Sequence, residues 1–215
     1  MEKIIIFDLD GTLLNTLEDL KDSTNYALEQ FQYPQRSIDE IRSFVGNGVK
    51  LLIERAIPQG IENPNFEKCL QTFKEHYSKN MYNKTAPYPE IINMLKNLKR
   101  EKHKIAVVSN KFDAAVKELC QKYFKDLIDI AIGENEAAGI NKKPAPDTVF
   151  KAIFELNGTV SKSVYVGDSD VDIQTAKNSF IPCISVSWGF RDKEFLIKNG
   201  AKIIIDKPNE IFNVL

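Results

Sequence analysis

Asp8 and Asp10 stand two apart in Phe7-Asp8-Leu9-Asp10-Gly11-Thr12-Leu13, and a second acidic group fills Gly167-Asp168-Ser169-Asp170-Val171-Asp172. Both segments follow short apolar runs, as does Ser109-Asn110-Lys111. If those runs are strands of one open α/β sheet, their carboxyl ends converge where such sheets bind ligands. In extended backbone Asp8 and Asp10 face the same way, and Asp168 joins them from a neighbouring strand. Two carboxylates about 4 Å apart repel by about 4 kcal/mol at an effective dielectric near 20, and a third adds to the cost. A hard divalent cation resolves the conflict. A donor set of oxygens with no His or Cys suits Mg²⁺, which keeps waters and takes a substrate phosphate as a further ligand.

A cation of this kind also screens the charge that would keep a carboxylate from attacking a phosphoryl group. Asp8 is the candidate nucleophile, through an aspartyl-phosphate. Asp10 is placed to protonate the leaving oxygen and later to deprotonate water. Gly11 permits a sharp turn that would bring backbone N–H groups, with Thr12 beside them, to the phosphoryl oxygens. Ser109 adds a hydroxyl donor, and Lys143 in Lys142-Lys143-Pro144-Ala145-Pro146-Asp147 adds positive charge for the group in transfer. Asn110 and Lys111 share the strand end with Ser109, and Lys111 is a candidate anchor for a substrate carboxylate.

These residues need a scaffold. Apolar runs at Ile4–Phe7, Ile105–Val108, Ile128–Ile132, Val164–Val166, Cys183–Val186 and Ile203–Ile205 read as strands buried on both faces. Helical stripes fill the gaps, as at Ala115, Val116, Leu119 and Cys120. The alternation predicts an α/β fold, a doubly wound and mostly parallel Rossmann-like sheet. Leu17 to Ala86 breaks it, with helical stripes and no strand, so an all-helical domain over 17–86 is expected inside a core formed by 1–16 and 87–215. Gly46-Asn47-Gly48 lacks the remaining residues of a dinucleotide or phosphate-loop motif. If that turn faces the site, Asn47 or Lys50 would lie near the substrate. Trp188-Gly189-Phe190 follows a strand and could line the pocket or pack at its rim.

Phe7 to Leu13, Ser109, Lys143-Pro144 and Gly167-Asp168 through Asp172 resemble, in order and spacing, the four motifs of the haloacid dehalogenase superfamily. The resemblance covers essentially the whole chain, since a helical cap inserted after the first motif is that superfamily's C1 type. Pro87-Tyr88-Pro89, Val108-Ser109-Asn110-Lys111 and Trp188-Gly189-Phe190 are similar to the phosphoglycolate phosphatase branch. The resemblance implies Asp8 as nucleophile and Mg²⁺ ligand, Asp10 as acid/base with its backbone carbonyl on the metal, and Asp168 as the third ligand. Ser109 and Lys143 would hold the phosphoryl group, and Asp172 would steady Lys143 or a metal-bound water from behind. Two residues depart from the usual pattern, Asn15 after the first motif and Ser109 in place of Thr; neither removes a catalytic atom.

The expected activity is Mg²⁺-dependent hydrolysis of a small soluble phosphate ester, with cap closure excluding water. Alternatives within the superfamily are a phosphosugar mutase of the beta-phosphoglucomutase type and an inorganic pyrophosphatase. A phospho-acceptor signalling module is disfavoured, because it needs no cap and an acid/base at Asp10 shortens the life of its phosphate. The 29 basic and 30 acidic residues balance, which offers nothing to a nucleic acid. No apolar run approaches the roughly 20 residues of a membrane span, and the expected location is the cytoplasm, as a monomer or homodimer. Cys69, Cys120 and Cys183 are too scattered for a metal or redox pair, and His76 and His103 read as helix-face and solvated residues.

Overall fold

The computed structural model describes residues 2–135 and 139–215. Two compact units arise, one from Met1–Leu14 with Pro87–Leu215 and one from Asn15–Ala86. In the second unit, apolar side chains recur at steps of three and four, so each helix has one face to bury. Helix α1 (Leu17–Gln30) buries Leu17, Leu20, Thr24, Ala27 and Leu28. Helix α2 (Ile38–Phe44) starts at a capping box in which Ser37 Oγ accepts the Glu40 N–H and Glu40 Oε2 accepts the Ser37 N–H. Helix α3 (Val49–Ala56) buries Val49, Leu52, Ile53 and Ala56, and α4 (Phe66–Asn80) buries Phe66, Cys69, Leu70, Phe73 and Tyr77 along α1. One charged group is taken inside: the Asp19 carboxylate accepts the Lys84 N–H at 3.0 Å and the Thr85 N–H at 2.8 Å, tying the end of the unit to its first helix. His76 stacks on Tyr26 at 4.0 Å and lies 3.0 Å from Ser23 Oγ, a packing role.

The first unit is built on six parallel strands: β1 (Ile4–Phe7), β2 (Lys104–Phe112), β3 (Ile130–Glu134), β4 (Ser163–Gly167), β5 (Cys183–Val186) and β6 (Ile203–Ile205). Their spatial order is β3-β2-β1-β4-β5-β6. Phe7 pairs with Val107 on one side and Val166 on the other, so β1 is central and buried throughout. Helices α5 (Ile91–Arg100), α6 (Asp113–Tyr123), α7 (Asp147–Glu155), α8 (Asp170–Asn178) and α9 (Lys193–Lys198) follow, with most of them on the sheet. On one face Ile4, Ile6, Ala106, Val108 and Tyr165 meet Val149, Ala152 and Ile153 of α7 and Ala176 of α8. Each large side chain buried this way is worth about 1.5–3 kcal/mol relative to leaving it in water.

Three local outcomes differ from what residue patterns suggest. β3 starts at Ile130 rather than Ile128, because Asp129 turns its carboxylate to the Ile105 N–H at 2.7 Å and to Lys99 Nζ at 2.6 Å. His103 is buried rather than solvated, its Nδ1 accepting the Lys3 N–H at 3.1 Å. Leu14–Asn15 and Ala86–Pro87 form a two-stranded ribbon too short to show any periodicity. Among the described residues no helix is long and apolar enough to cross a membrane.

Candidate active site

β1 is flanked by β2 and β4; β2 and β3 lie on one side of it and β4, β5 and β6 on the other, so the strand order reverses at β1 and the crevice beyond these three strand ends is the natural ligand site. Asp8 follows β1, and its N–H is held by the Val166 carbonyl of β4 at 2.9 Å. Ser109 to Lys111 occupy the stretch of β2 where the pairing with β3 slips register, a distortion that re-aims side chains. Asp168 follows β4. Asp172 reaches back from the first turn of α8, held there by a capping box: Asp172 Oδ2 accepts the Ser169 N–H at 3.1 Å and the Ser169 hydroxyl at 2.6 Å.

Asp8, Asp168 and Asp172 each offer an oxygen within 4.8 Å of the others, and all three are buried. Lys143 reaches them with its ammonium, donating to Asp8 Oδ1 at 2.7 Å and to Asp172 Oδ1 at 2.8 Å. Burial raises the Asp8 carboxyl well above its ordinary range, against the pull of Lys143 and with the push of Asp172 and Asp168. Asp168 is raised to about 7, chiefly by burial and then by Asp172, against the Phe190 N–H that favours its ionised form. Lys143 is raised despite its own burial, because Asp172 and Asp8 stabilise its charge. With the three carboxylates ionised, a single ammonium leaves the cluster two positive charges short. One divalent cation makes up that difference, and a cluster of oxygens suits a hard one.

The sequence reading placed Asp8, Asp10 and Asp168 side by side; the side-chain triad instead takes its third member from Asp172. The alternation of a strand ends at Phe7, and the chain turns at Gly11 with φ of +88°, so the two-residue rule lapses between Asp8 and Asp10. Asp10 lies with Lys111, whose Nζ is 3.1 Å from Oδ2. At the turn, the Gly11 N–H is donated to the Leu14 carbonyl at 2.9 Å. Thr12 gives its hydroxyl to Asp168 Oδ1 at 3.2 Å. Asn110 spans the Lys143 backbone: Oδ1 accepts the Lys143 N–H at 2.8 Å and Nδ2 donates to the Lys143 carbonyl at 3.0 Å. Ser109 is buried, and its Oγ accepts the Lys111 N–H at 3.2 Å. Asn47 accepts from Arg55 on its own helical unit at 3.3 Å, and Lys50 is exposed.

Two contributors were missed or undervalued at the sequence level. Tyr165, inside β4, accepts from Lys143 Nζ at 3.0 Å and donates to Asp172 Oδ1 at 3.1 Å; an aromatic in an apolar run carries no sign of this. The Trp188-Gly189-Phe190 segment grips both acidic segments. Trp188 Nε1 donates to the Thr12 carbonyl at 3.0 Å, and the Phe190 N–H donates to Asp168 Oδ2 at 2.7 Å. A Cβ on Gly189 would fall 2.3 Å from Asp168 Cβ and 2.5 Å from the Gly11 carbonyl oxygen, so only glycine fits.

Residues 5–186 match the model of the family described as haloacid dehalogenase-like hydrolase. A phosphoglycolate phosphatase of Mesorhizobium japonicum is 32% identical over 195 residues, covering 88% of this chain and 85% of that protein. One from Aquifex aeolicus is 30% identical over 189 residues, covering 87% and 86%. A crystal structure of a protein from Lactobacillus delbrueckii subsp. bulgaricus superposes with a TM-score of 0.93 at 36% identity, covering 100% of this chain and 98% of that one. On a match that spans most of its length, and with the triad and its lysine at the strand ends, this chain belongs to the haloacid dehalogenase-like hydrolase family.

Proposed function

We propose that the chain is a Mg²⁺-dependent phosphomonoesterase acting on a small phosphate ester, with 2-phosphoglycolate the first substrate to test. The observation that carries this reading is the charge count of the buried site, three carboxylates against one ammonium. Mg²⁺ would be held by Asp8 and Asp168, with the Asp10 carbonyl as a further ligand, and would supply charge neutralisation for an incoming phosphoryl group. Asp8 attacks phosphorus through a carboxylate oxygen. Asp10 donates a proton to the departing alkoxide, and then takes one from the water that releases inorganic phosphate from Asp8. Lys143 supports the negative charge of the group in transfer, and Asp172, Tyr165 and Asn110 hold Lys143 in place. Ser109, whose Oγ accepts the Lys111 N–H, has its own hydroxyl proton to donate to a phosphoryl oxygen. Asn15–Ala86 is the cap in this reading, with Asn47 and Lys50 as candidate substrate contacts. The relatives named as phosphoglycolate phosphatases support the choice of substrate.

The test is phosphate release from 2-phosphoglycolate, p-nitrophenyl phosphate, a hexose 1-phosphate and pyrophosphate, each with Mg²⁺ and with EDTA. Release from a monoester that needs Mg²⁺ is expected. Conversion of the hexose 1-phosphate to its 6-phosphate without phosphate release would replace the hydrolase by a mutase.

Gly189 offers an independent check on the scaffold around Asp168. Gly189→Ala must push Asp168 or the Gly11 carbonyl aside, and a displacement of about 1 Å in such a site costs about 100-fold in rate. The loss is expected with a higher Mg²⁺ requirement. A Mg²⁺ titration of phosphate release that matches wild type would show that Gly189 has no bearing on the metal ligands.

A further inference from the structure

Asp10 is held asymmetrically. Its Oδ2 lies 3.1 Å from Lys111 Nζ, and the lysine side chain is only 2% exposed. Its Oδ1 is buried with no hydrogen-bond partner among the described residues. A buried carboxylate oxygen without a donor is costly to keep, so its orientation calls for a partner that arrives with substrate. Lys111 stands in the part of β2 where the pairing register slips, which places its ammonium against Asp10.

We propose that Lys111 is a positioning residue that fixes the proton of Asp10 on Oδ1 and aims it at the leaving oxygen; this rests on the reading of Asp10 as acid/base. An ammonium has three donors and no acceptor. When Asp10 is protonated, the oxygen that faces Lys111 accepts from the ammonium best as the carbonyl oxygen, because a hydroxyl oxygen is the weaker acceptor. The proton sits on Oδ1, the oxygen left open. In the first step the Asp8–phosphorus bond forms as the ester P–O bond breaks, and the Oδ1 proton passes to the departing oxygen. In the second, water attacks phosphorus, its proton returns to Oδ1, and the Asp8–phosphorus bond breaks to release phosphate. Lys111 forms no bond to the reacting atoms in either step.

The discriminating measurement is the dependence of kcat/KM on the leaving group in Lys111→Met and Asp10→Asn, using ethyl phosphate, p-nitrophenyl phosphate and 2-phosphoglycolate. An alkoxide needs its proton and p-nitrophenolate does not, so loss of a positioned acid strikes alkyl esters selectively. General acid catalysis contributes about 10²–10⁴-fold, so Lys111→Met is expected to lose about 10–100-fold on ethyl phosphate and 2-phosphoglycolate and less than about 3-fold on p-nitrophenyl phosphate. Lys111→Arg, which retains the charge, should recover most of the loss. In an Asp10→Asn background Lys111→Met should add little. Equal losses on all three substrates, with no recovery by arginine, would make Lys111 a structural residue and overturn the proposal. A rise in KM confined to 2-phosphoglycolate would overturn it in favour of a substrate anchor. If Asp10→Asn itself shows no selectivity for alkyl esters, the acid assignment beneath the proposal fails first, and the two failures are told apart. Should Lys111→Met not fold, Lys111→Gln takes its place in the same comparison.

Discussion

Asp8→Asn is expected to lower phosphate release by at least about 10⁴-fold while leaving the protein folded and able to bind substrate. Asparagine is the closest isostere, and its amide oxygen still accepts from Lys143, which in the native protein donates to Asp8 at 2.7 Å. What is lost is the anionic charge that makes a carboxylate oxygen a nucleophile toward phosphorus; the neutral amide cannot form the aspartyl bond. Rapid acid quenching after mixing with a ³²P-labelled ester should find label on wild-type protein and none on Asp8→Asn. Asp10→Asn gives the complementary result with p-nitrophenyl phosphate. That leaving group departs unprotonated, so Asp8 is still phosphorylated, but no base remains to activate water and the label accumulates. Turnover by Asp8→Asn within tenfold of wild type would place the nucleophile elsewhere and remove the mechanism with it.

Much of this arrangement was legible in the residues, and the parts that were not have a common cause. The strands announced themselves because a parallel sheet covered on both faces demands unbroken apolar runs, as in Ile4–Phe7. The helical stripe of Ala115, Val116, Leu119 and Cys120 names the buried face of α6 because the period of 3.6 is local. Strand ends, where open sheets bind ligands, are what pointed to Asp8, Ser109 and Asp168, and the structure brings the oxygens of Asp8 and Asp168 within 4.8 Å of each other. The errors begin where backbone geometry stops being periodic. Past Phe7 the chain turns through Gly11, so Asp10 leaves Asp8 and goes to Lys111. Asp172 enters the triad because a capping box folds its side chain back toward β4, and nothing in a list of acidic residues tells that case from a solvated helix start. Tyr165 and the Trp188 segment lie 22 and 45 residues from Lys143, and their roles arise only once strands distant in sequence are neighbours. Which charges gather at the strand ends follows from residue type; what holds each charge follows from the fold.

The same crowding that defines the site makes it a burden on the metal-free protein, and Asp168→Asn exposes this as a change of opposite sign in stability and activity. Burial and Asp172 raise Asp168 from its ordinary 3.8 to about 7. A folded-state value above the unfolded one means that the folded chain holds the proton more tightly. The contribution of this group to stability is therefore complete below pH about 4, is lost as the pH climbs through 7, and stays lost above it. A rise of about three units corresponds to about 4 kcal/mol once the group is ionised. Asparagine removes that cost and keeps the contacts: its amide oxygen accepts the Phe190 N–H, and the Thr12 hydroxyl turns to accept from its NH₂. Without metal, Asp168→Asn should melt about 8–16 °C above wild type at pH 8, with the gap closing toward pH 4. Mg²⁺ should narrow the gap. At a hundred times its Kd the ion stabilises wild type by about 2.7 kcal/mol, and the variant, short of a charged ligand, should respond weakly and lose at least about 10³-fold in phosphate release. Melting curves in EDTA and in Mg²⁺ at pH 4, 6 and 8 decide the matter: a variant less stable than wild type in EDTA at pH 8 would mean that these carboxylates are not in conflict, and the case for a divalent cation built on that conflict would fall.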